Sequence, residues 1–138
     1  MEINGIAHLI LTVSDFVAAR RFYGALLPAL GLVPLIDTGG YYYCIGGRTG
    51  IGIRPSESAA PPRFSQESPG LHHFCFRARD RAHVDAIHAL VVELGAKVVR
   101  PPEEGDWAPG YYSTLFEDPD GIRIEMNHVP GKGHLEGR

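Results

Sequence analysis

Residues 8–15 read HLILTVSD, and residues 73–80 read HFCFRARD. In both stretches a histidine is followed by apolar residues at alternate positions, and an aspartate comes seven residues after the histidine. Alternation of this kind predicts a half-buried β-strand, and the aspartate is suited to cap a helix that begins directly after it. A second pair follows in the same order, TGIGIR at 49–54 and DGIRIE at 120–125. The chain is therefore predicted to consist of two related halves.

Each half is predicted to have the element order β-α-β-β-β. In the first half the apolar spacing predicts a strand, a helix from Phe16 to Leu30 that Gly31 ends, and three short strands. In the second half Asp80 caps the helix, and Gly95 ends it. The strands are expected at 5–13, 32–36, 41–45 and 50–54 in the first half, and at 71–78, 97–100, 111–117 and 122–129 in the second. A loop is expected from Pro101 to Gly110.

The predicted fold class is α+β, with two tandem modules whose curved mixed sheets form a cupped cavity for a metal and a ligand. We expect one domain over residues 1–138. Its parts are module 1 at about 3–54, a Pro/Ser-rich linker at 55–70, module 2 at about 71–129 and a tail at 130–138.

Composition limits the classes of function. The 138 residues are 44% hydrophobic and 21% charged, with a net charge of −3 and no basic stripe, which argues against a nucleic-acid partner. No apolar run is long enough to span a membrane, and the N-terminus lacks the basic region of a signal peptide. Cys44 and Cys75 do not suggest a disulfide framework, so we expect a reduced, cytoplasmic protein.

Strand alternation predicts a metal site. His8 and His73 lie opposite the apolar positions of their strands, and Glu125 lies opposite Ile124 on the last strand. If the apolar faces pack on the helices, all three side chains point to the concave side. Two histidines and one carboxylate are a common ligand set for a divalent ion with coordination positions left open.

Several further residues are candidates for the same cavity. Arg54, Arg77 and Arg123 share the concave-face parity and could bind an anionic substrate. Arg54 has an alternative role as the counter-ion of Glu125 or as a residue at a strand end. The loop at 101–112, with Trp107, Tyr111 and Tyr112, is predicted to wall the pocket, with simple surface packing as the alternative for Trp107.

The other histidines are given lesser roles. His72 is placed on the helix side by alternation. His83, His88 and His134 are expected to be solvated or structural, and His128 is left open.

The duplicated modules, the histidine on each first strand and EDPDGIRIE at 117–125 resemble the vicinal oxygen chelate superfamily, which includes glyoxalases, extradiol dioxygenases, fosfomycin-resistance thiol transferases and bleomycin-resistance proteins. The resemblance covers about residues 3–129. It implies His8, His73 and Glu125 as the metal ligands, and it implies a homodimer. The fourth position, a glutamate in many glyoxalases, falls on Arg54, which departs from the lactoylglutathione lyase pattern. The fosfomycin-resistance enzymes resemble one another in having a threonine at the position of Ile10, so this chain departs from their pattern as well.

The sequence thus predicts a divalent-metal-dependent enzyme of the glyoxalase or dioxygenase type, a lyase, isomerase or dioxygenase. Its substrate is expected to be a small, anionic, oxygen-chelating molecule, and Glu125 is the candidate catalytic group. One ion per site is expected, with Fe, Mn, Ni and Zn all chemically possible. Two alternatives remain open: a metal-free or metal-assisted binding protein of the bleomycin-resistance type, and a thiol transferase of the fosfomycin-resistance type.

Overall fold

The computed structural model of the chain describes residues 2–133. The chain divides into two compact units, Met1–Arg63 and Phe64–Arg138, and this boundary falls inside the linker predicted at 55–70. Each unit has one helix and one four-stranded mixed sheet, which confirms the α+β class and the two β-α-β-β-β modules. His134 and the end of the predicted tail lie outside the described residues.

The first unit is built around helix α1. Asp15 caps this helix as predicted, because its carboxylate accepts a hydrogen bond from the Ala18 backbone N–H at 2.9 Å. Gly31, with φ of 80°, takes the left-handed conformation just after the helix. The sheet order is β1-β4-β3-β2, with β1 and β4 parallel and the other pairs antiparallel. The elements are β1 (His8–Val13), α1 (Phe16–Ala29), β2 (Val33–Thr38), β3 (Tyr41–Gly46) and β4 (Thr49–Pro55).

The second unit repeats this arrangement. Asp80 caps helix α2 by accepting a hydrogen bond from the His83 backbone N–H at 2.9 Å. The sheet order is β5-β8-β7-β6, and the edge strand β5 is again parallel to its neighbour, β8. The elements are β5 (Phe74–Arg77), α2 (Arg81–Glu93), β6 (Lys97–Glu104), β7 (Tyr112–Glu117) and β8 (Arg123–His128).

Strand β6 is longer than predicted. The sequence analysis ended this strand at residue 100 because Pro101 and Pro102 follow, and that boundary is wrong. β6 is the edge strand of its sheet, and its pairing with β7 shifts register between Arg100 and Glu103. Proline is tolerated at an edge or a register shift, because a backbone N–H at such a place has no partner in the sheet.

Burial agrees with the face of β1 that was predicted to pack on the helix. On β1, Leu11 and Val13 are buried and Thr12 is exposed, while on β8 Ile124 is fully buried. Burying each such aliphatic side chain contributes roughly 1.5–3 kcal/mol. The apolar residues therefore hold each sheet against its helix, and the histidine-bearing face of β1 looks away from α1. None of the helices within residues 2–133 is long and apolar enough to cross a membrane.

Candidate metal centre

Glu125 is a buried carboxylate with a partner on each oxygen. Glu125 exposes only 5% of its surface to solvent. The Tyr111 hydroxyl donates to Oε1 at 2.6 Å, and Nη2 of Arg100 donates to the same oxygen at 3.0 Å. Nε2 of His73 lies 3.1 Å from the other oxygen, Oε2. A charge can stay buried when it is paired and hydrogen-bonded in this way, so the carboxylate is held in one orientation.

The pairing of the strands explains how Arg100 reaches Glu125. Arg100 of β6 pairs with Leu115 of β7, Leu115 pairs with Glu125 of β8, and Glu125 pairs with Cys75 of β5. The four residues form one row across the sheet, on the face that alternation predicted for Glu125. The long arginine side chain spans Leu115 to reach the carboxylate.

Arg100 is itself anchored. Its Nη2 also donates to the Ser113 hydroxyl at 2.8 Å, and its Nε lies 3.7 Å from Glu103. Tyr111 is buried as well; burial raises the pKa of its hydroxyl, and the hydrogen bond to Glu125 raises it further. The sequence gave no sign of a role for Arg100 and placed Tyr111 only in the loop expected to wall the pocket, although both hold the buried carboxylate.

Cys75 lies beside Glu125 but is a poor ligand. Although its side chain is exposed, surrounding protein atoms desolvate the thiol, and this burial, with the Glu125 charge as the second cause, raises the pKa of Cys75 to about 12. The protonated thiol therefore predominates at neutral pH, and a thiol is neither a strong nucleophile nor a good metal ligand.

The side chains of His72 and His73 contact each other. Their Nδ1 atoms lie 2.7 Å apart, so one ring donates and the other accepts. The expectation that alternation separates these two rings is wrong, because both residues precede β5, where the strand pattern begins. Without a metal, a proton on Nε2 lets His73 face Oε2 of Glu125; with a metal ion on Nε2, that proton would sit on Nδ1 and be donated to His72. A second-nitrogen hydrogen bond of this kind commonly orients a metal-binding histidine.

The three candidate arginines differ in their surroundings. Arg54 pairs with Glu57 at 2.5 Å, and its side chain is 44% exposed. Arg77 is exposed at the end of β5. The Nε of Arg123 is buried 3.6 Å from Oε1 of Glu117. Of the two candidate arginines in the second unit, Arg77 is thus the more open.

The two candidate aromatic residues have different surroundings. The Tyr112 hydroxyl donates to Asp85 of α2 at 2.8 Å, and the Arg81 guanidinium lies over its ring. Trp107 is 71% exposed. The buried neighbour Tyr111 takes the place beside the carboxylate, because successive residues of an extended chain point to opposite sides.

The remaining histidines have local partners. Nδ1 of His83 lies 3.3 Å from Asp80, and Nδ1 of His88 lies 3.3 Å from the Thr114 hydroxyl. Both contacts agree with the structural roles predicted for these two residues. Nδ1 of His128 is 3.5 Å from the Ala78 carbonyl.

A glycine occupies the position of the first unit that corresponds to Glu125. Ile10 pairs with Gly52, and Cys75 pairs with Glu125; Ile10 and Cys75 each come two residues after the repeated histidine. The prediction that Arg54 holds the fourth-ligand position is therefore wrong by two residues. Comparing TGIGIR with DGIRIE letter by letter ignores the strand register, which the pairing reveals.

Comparison with known proteins decides the family. A sequence profile of the Glyoxalase/Bleomycin resistance protein/Dioxygenase superfamily matches residues 5–126. The chain belongs to this superfamily.

Similar proteins agree with this assignment. Virulence protein STM3117 of Salmonella typhimurium is 29% identical over 128 residues, which cover 92% of this chain and 85% of that protein. A candidate glyoxalase from Bacillus halodurans superposes with a TM-score of 0.80 at 25% identity, covering 91% of this chain and 96% of that one. A glyoxalase/bleomycin resistance protein from Albidiferax ferrireducens T118 gives 0.75 at 28% identity, covering 89% and 98%. The resemblance drawn from the repeated motifs is therefore confirmed.

Superfamily members commonly use a divalent metal. The predicted ligands are divided between the units, since His8 belongs to Met1–Arg63 and the other two belong to Phe64–Arg138. Within residues 2–133 no three His, Cys, Asp or Glu side chains come together as a metal-binding group. His73 and Glu125 lie 3.1 Å apart in the second unit, and their role as metal ligands stays a prediction, as does that of His8.

Proposed function

We propose that the protein is a divalent-metal-dependent enzyme of the glyoxalase or dioxygenase type, with His8, His73 and Glu125 as the ligands. The observation that carries this proposal is the geometry of Glu125. Tyr111 and Arg100 both bind Oε1, while Oε2 lies 3.1 Å from Nε2 of His73. One carboxylate oxygen is thus held by the protein, and the other is presented beside an imidazole.

The spacing of these two atoms fits a shared ion. Donors about 2.1 Å from one ion and at a right angle to each other lie about 3.0 Å apart. Nitrogen and carboxylate oxygen donors suit Fe, Mn, Ni and Zn. An ion bound there would act as a Lewis acid on a substrate oxygen.

The residues around Glu125 support a division of roles. Arg100 and Tyr111 orient the carboxylate through Oε1, and Oε2 would take a proton from a substrate by leaving the ion transiently. Arg77 comes two residues after Cys75 on β5, so it lies on the same face of the sheet, and it is exposed. Its guanidinium is therefore suited to bind an anionic group of the substrate. A small anionic molecule with two neighbouring oxygens is the substrate class that these groups favour.

We also propose a cytoplasmic homodimer. The first unit leaves large apolar side chains exposed on its sheet, including Val33, Ile36 and Ile45, and such patches commonly mark interfaces. Cys44 and Cys75 are both free, which agrees with a reducing compartment. Sedimentation that shows only monomer at micromolar concentration would contradict the dimer.

Metal analysis tests the proposed function. Protein stripped with EDTA and then incubated with Mn, Fe, Ni or Zn should retain close to one ion per chain. His73→Ala should reduce the metal affinity at least tenfold, since removal of a supporting group alone costs 10–100-fold. His83→Ala is the matched control, because His83 is exposed and pairs only locally with Asp80. Failure to retain any of these ions would refute the proposal, and ligand binding without metal would favour the binding-protein alternative.

A further inference from the structure

Two residue pairs of the chain place an asparagine or aspartate directly before a glycine, Asn4–Gly5 and Asp120–Gly121. In such a pair the side-chain carbonyl carbon can bond to the next backbone nitrogen and close a cyclic imide. Glycine leaves the most room for this reaction because it has no Cβ. The backbone must also be free to rotate, so the surroundings of each pair decide whether the ring can form.

Asp120–Gly121 is held by its neighbours. Both residues are buried, and the Gly121 N–H donates to the Asp118 carbonyl at 3.0 Å. The Asp120 carbonyl accepts a hydrogen bond from the Phe64 N–H at 3.2 Å. The Gly121 carbonyl accepts one from the Gln66 side chain at 2.7 Å. A nitrogen fixed in this way cannot turn toward the side chain before it, so this pair is protected.

Asn4–Gly5 has the opposite surroundings. Both residues are exposed, and they precede the place where the sheet holds the chain, since the Gly50 N–H donates to the Ala7 carbonyl at 2.8 Å. In the part of the chain that the structure describes, no hydrogen bond engages the Gly5 N–H. Gly5 has a φ of 96°, which glycine adopts easily. The Gly5 nitrogen is therefore free to approach the Asn4 side chain.

We propose that Asn4 is a site of spontaneous deamidation in the folded protein. The Gly5 nitrogen attacks Cγ of Asn4 and loses its proton, the bond from Cγ to the side-chain nitrogen breaks, and ammonia leaves. Water then opens the imide at either carbonyl and leaves an aspartate or an isoaspartate. The net charge of −3 becomes more negative by one unit. The reaction needs only water, so it stands or falls separately from the proposed function.

Tandem mass spectrometry of the full chain, incubated in mildly alkaline buffer, tests the proposal. Residue 4 should show the exchange of NH₂ for OH, and an isoaspartyl methyltransferase should label the same peptide. Asn127, the second asparagine of the sequence, is an internal control, because it lies in β8 and pairs with Arg77 and Ser113. It should react at least about tenfold more slowly, since β8 must first open locally.

A comparison with unfolded protein isolates the contribution of the structure. In urea the rate at Asn4 should stay within about threefold of its native rate, because no structure restrains this pair, whereas the rate at Asn127 should rise. Asn4→Gln should abolish the acidic species in ion-exchange chromatography and leave the melting temperature unchanged, since the side chain is exposed. Equal native rates at the two asparagines would overturn the proposal. So would a native rate at Asn4 about tenfold below the urea rate, which is the result expected if a second copy of the chain covers the N-terminal segment.

Discussion

Replacing Glu125 with glutamine should destabilise the second unit even when no metal is present. The change keeps the shape of the side chain and removes its charge. Oε1 accepts one bond from Arg100 and one from Tyr111, at 3.0 and 2.6 Å. Hydrogen bonds to a charged group contribute about 1.5–3 kcal/mol and neutral ones about 0.5–1.5 kcal/mol, so each bond should lose about 1 kcal/mol.

The expected loss is therefore about 2 kcal/mol in the free energy of unfolding, as an upper figure, since the Arg100 side chain is 29% exposed and partly screened by solvent. Glu125→Leu should cost more, about 3–5 kcal/mol, because it leaves the Tyr111 hydroxyl without its acceptor and the Arg100 guanidinium without its buried counter-charge.

Urea denaturation in EDTA measures this loss. Trp107 is the single tryptophan of the chain and belongs to the second unit, so its fluorescence reports that unit. Glu57→Gln is the matched control, because it breaks an exposed ion pair with Arg54 and should change stability by less than about 1 kcal/mol. A Glu125→Gln variant within about 0.5 kcal/mol of wild type would refute the reasoning, since this is the scatter of ordinary surface substitutions.

Three further predictions concern single contacts. Tyr111→Phe removes one donor from the buried carboxylate and should lower stability by about 1–2 kcal/mol in the same urea assay. Arg54→Gln should change stability by less than about 1 kcal/mol, because its pair with Glu57 is exposed; a larger loss in thermal denaturation would show a further structural role. The Arg20 guanidinium holds the pKa of Asp37 below its usual value, so this pair stabilises the first unit above about pH 4 and the stability is lost as pH falls through the lowered pKa. Melting temperatures measured from about pH 7 down to about pH 2 cover this titration. As the pH falls, the melting temperature should decrease less steeply in Asp37→Asn than in wild type.

Much of the fold could be predicted because its signals are local. Alternating apolar residues placed the strands, and Asp15 and Asp80 marked the starts of both helices. Strand β6 was cut short because Pro101 and Pro102 break most strands, and only the sheet order shows that this strand lies at an edge.

The candidate site was less accessible to sequence reasoning. Parity along β8 predicted Glu125 on the face opposite Ile124, and in the structure its Oε2 lies 3.1 Å from His73. Arg100 was missed because it reaches the carboxylate across an intervening strand, by a register shift that no local pattern records. The equivalence of Gly52 with Glu125 likewise depends on which residues pair between strands, not on similarity of the motifs.

X-ray absorption spectroscopy of the nickel-loaded protein tests the proposed metal centre most directly, because it counts the imidazoles bound to the ion. Two imidazoles with oxygen donors are predicted for wild type, and one imidazole is predicted for His8→Ala and for His73→Ala. A wild-type spectrum without imidazole, or one that neither substitution changes, would contradict a centre made by His8, His73 and Glu125.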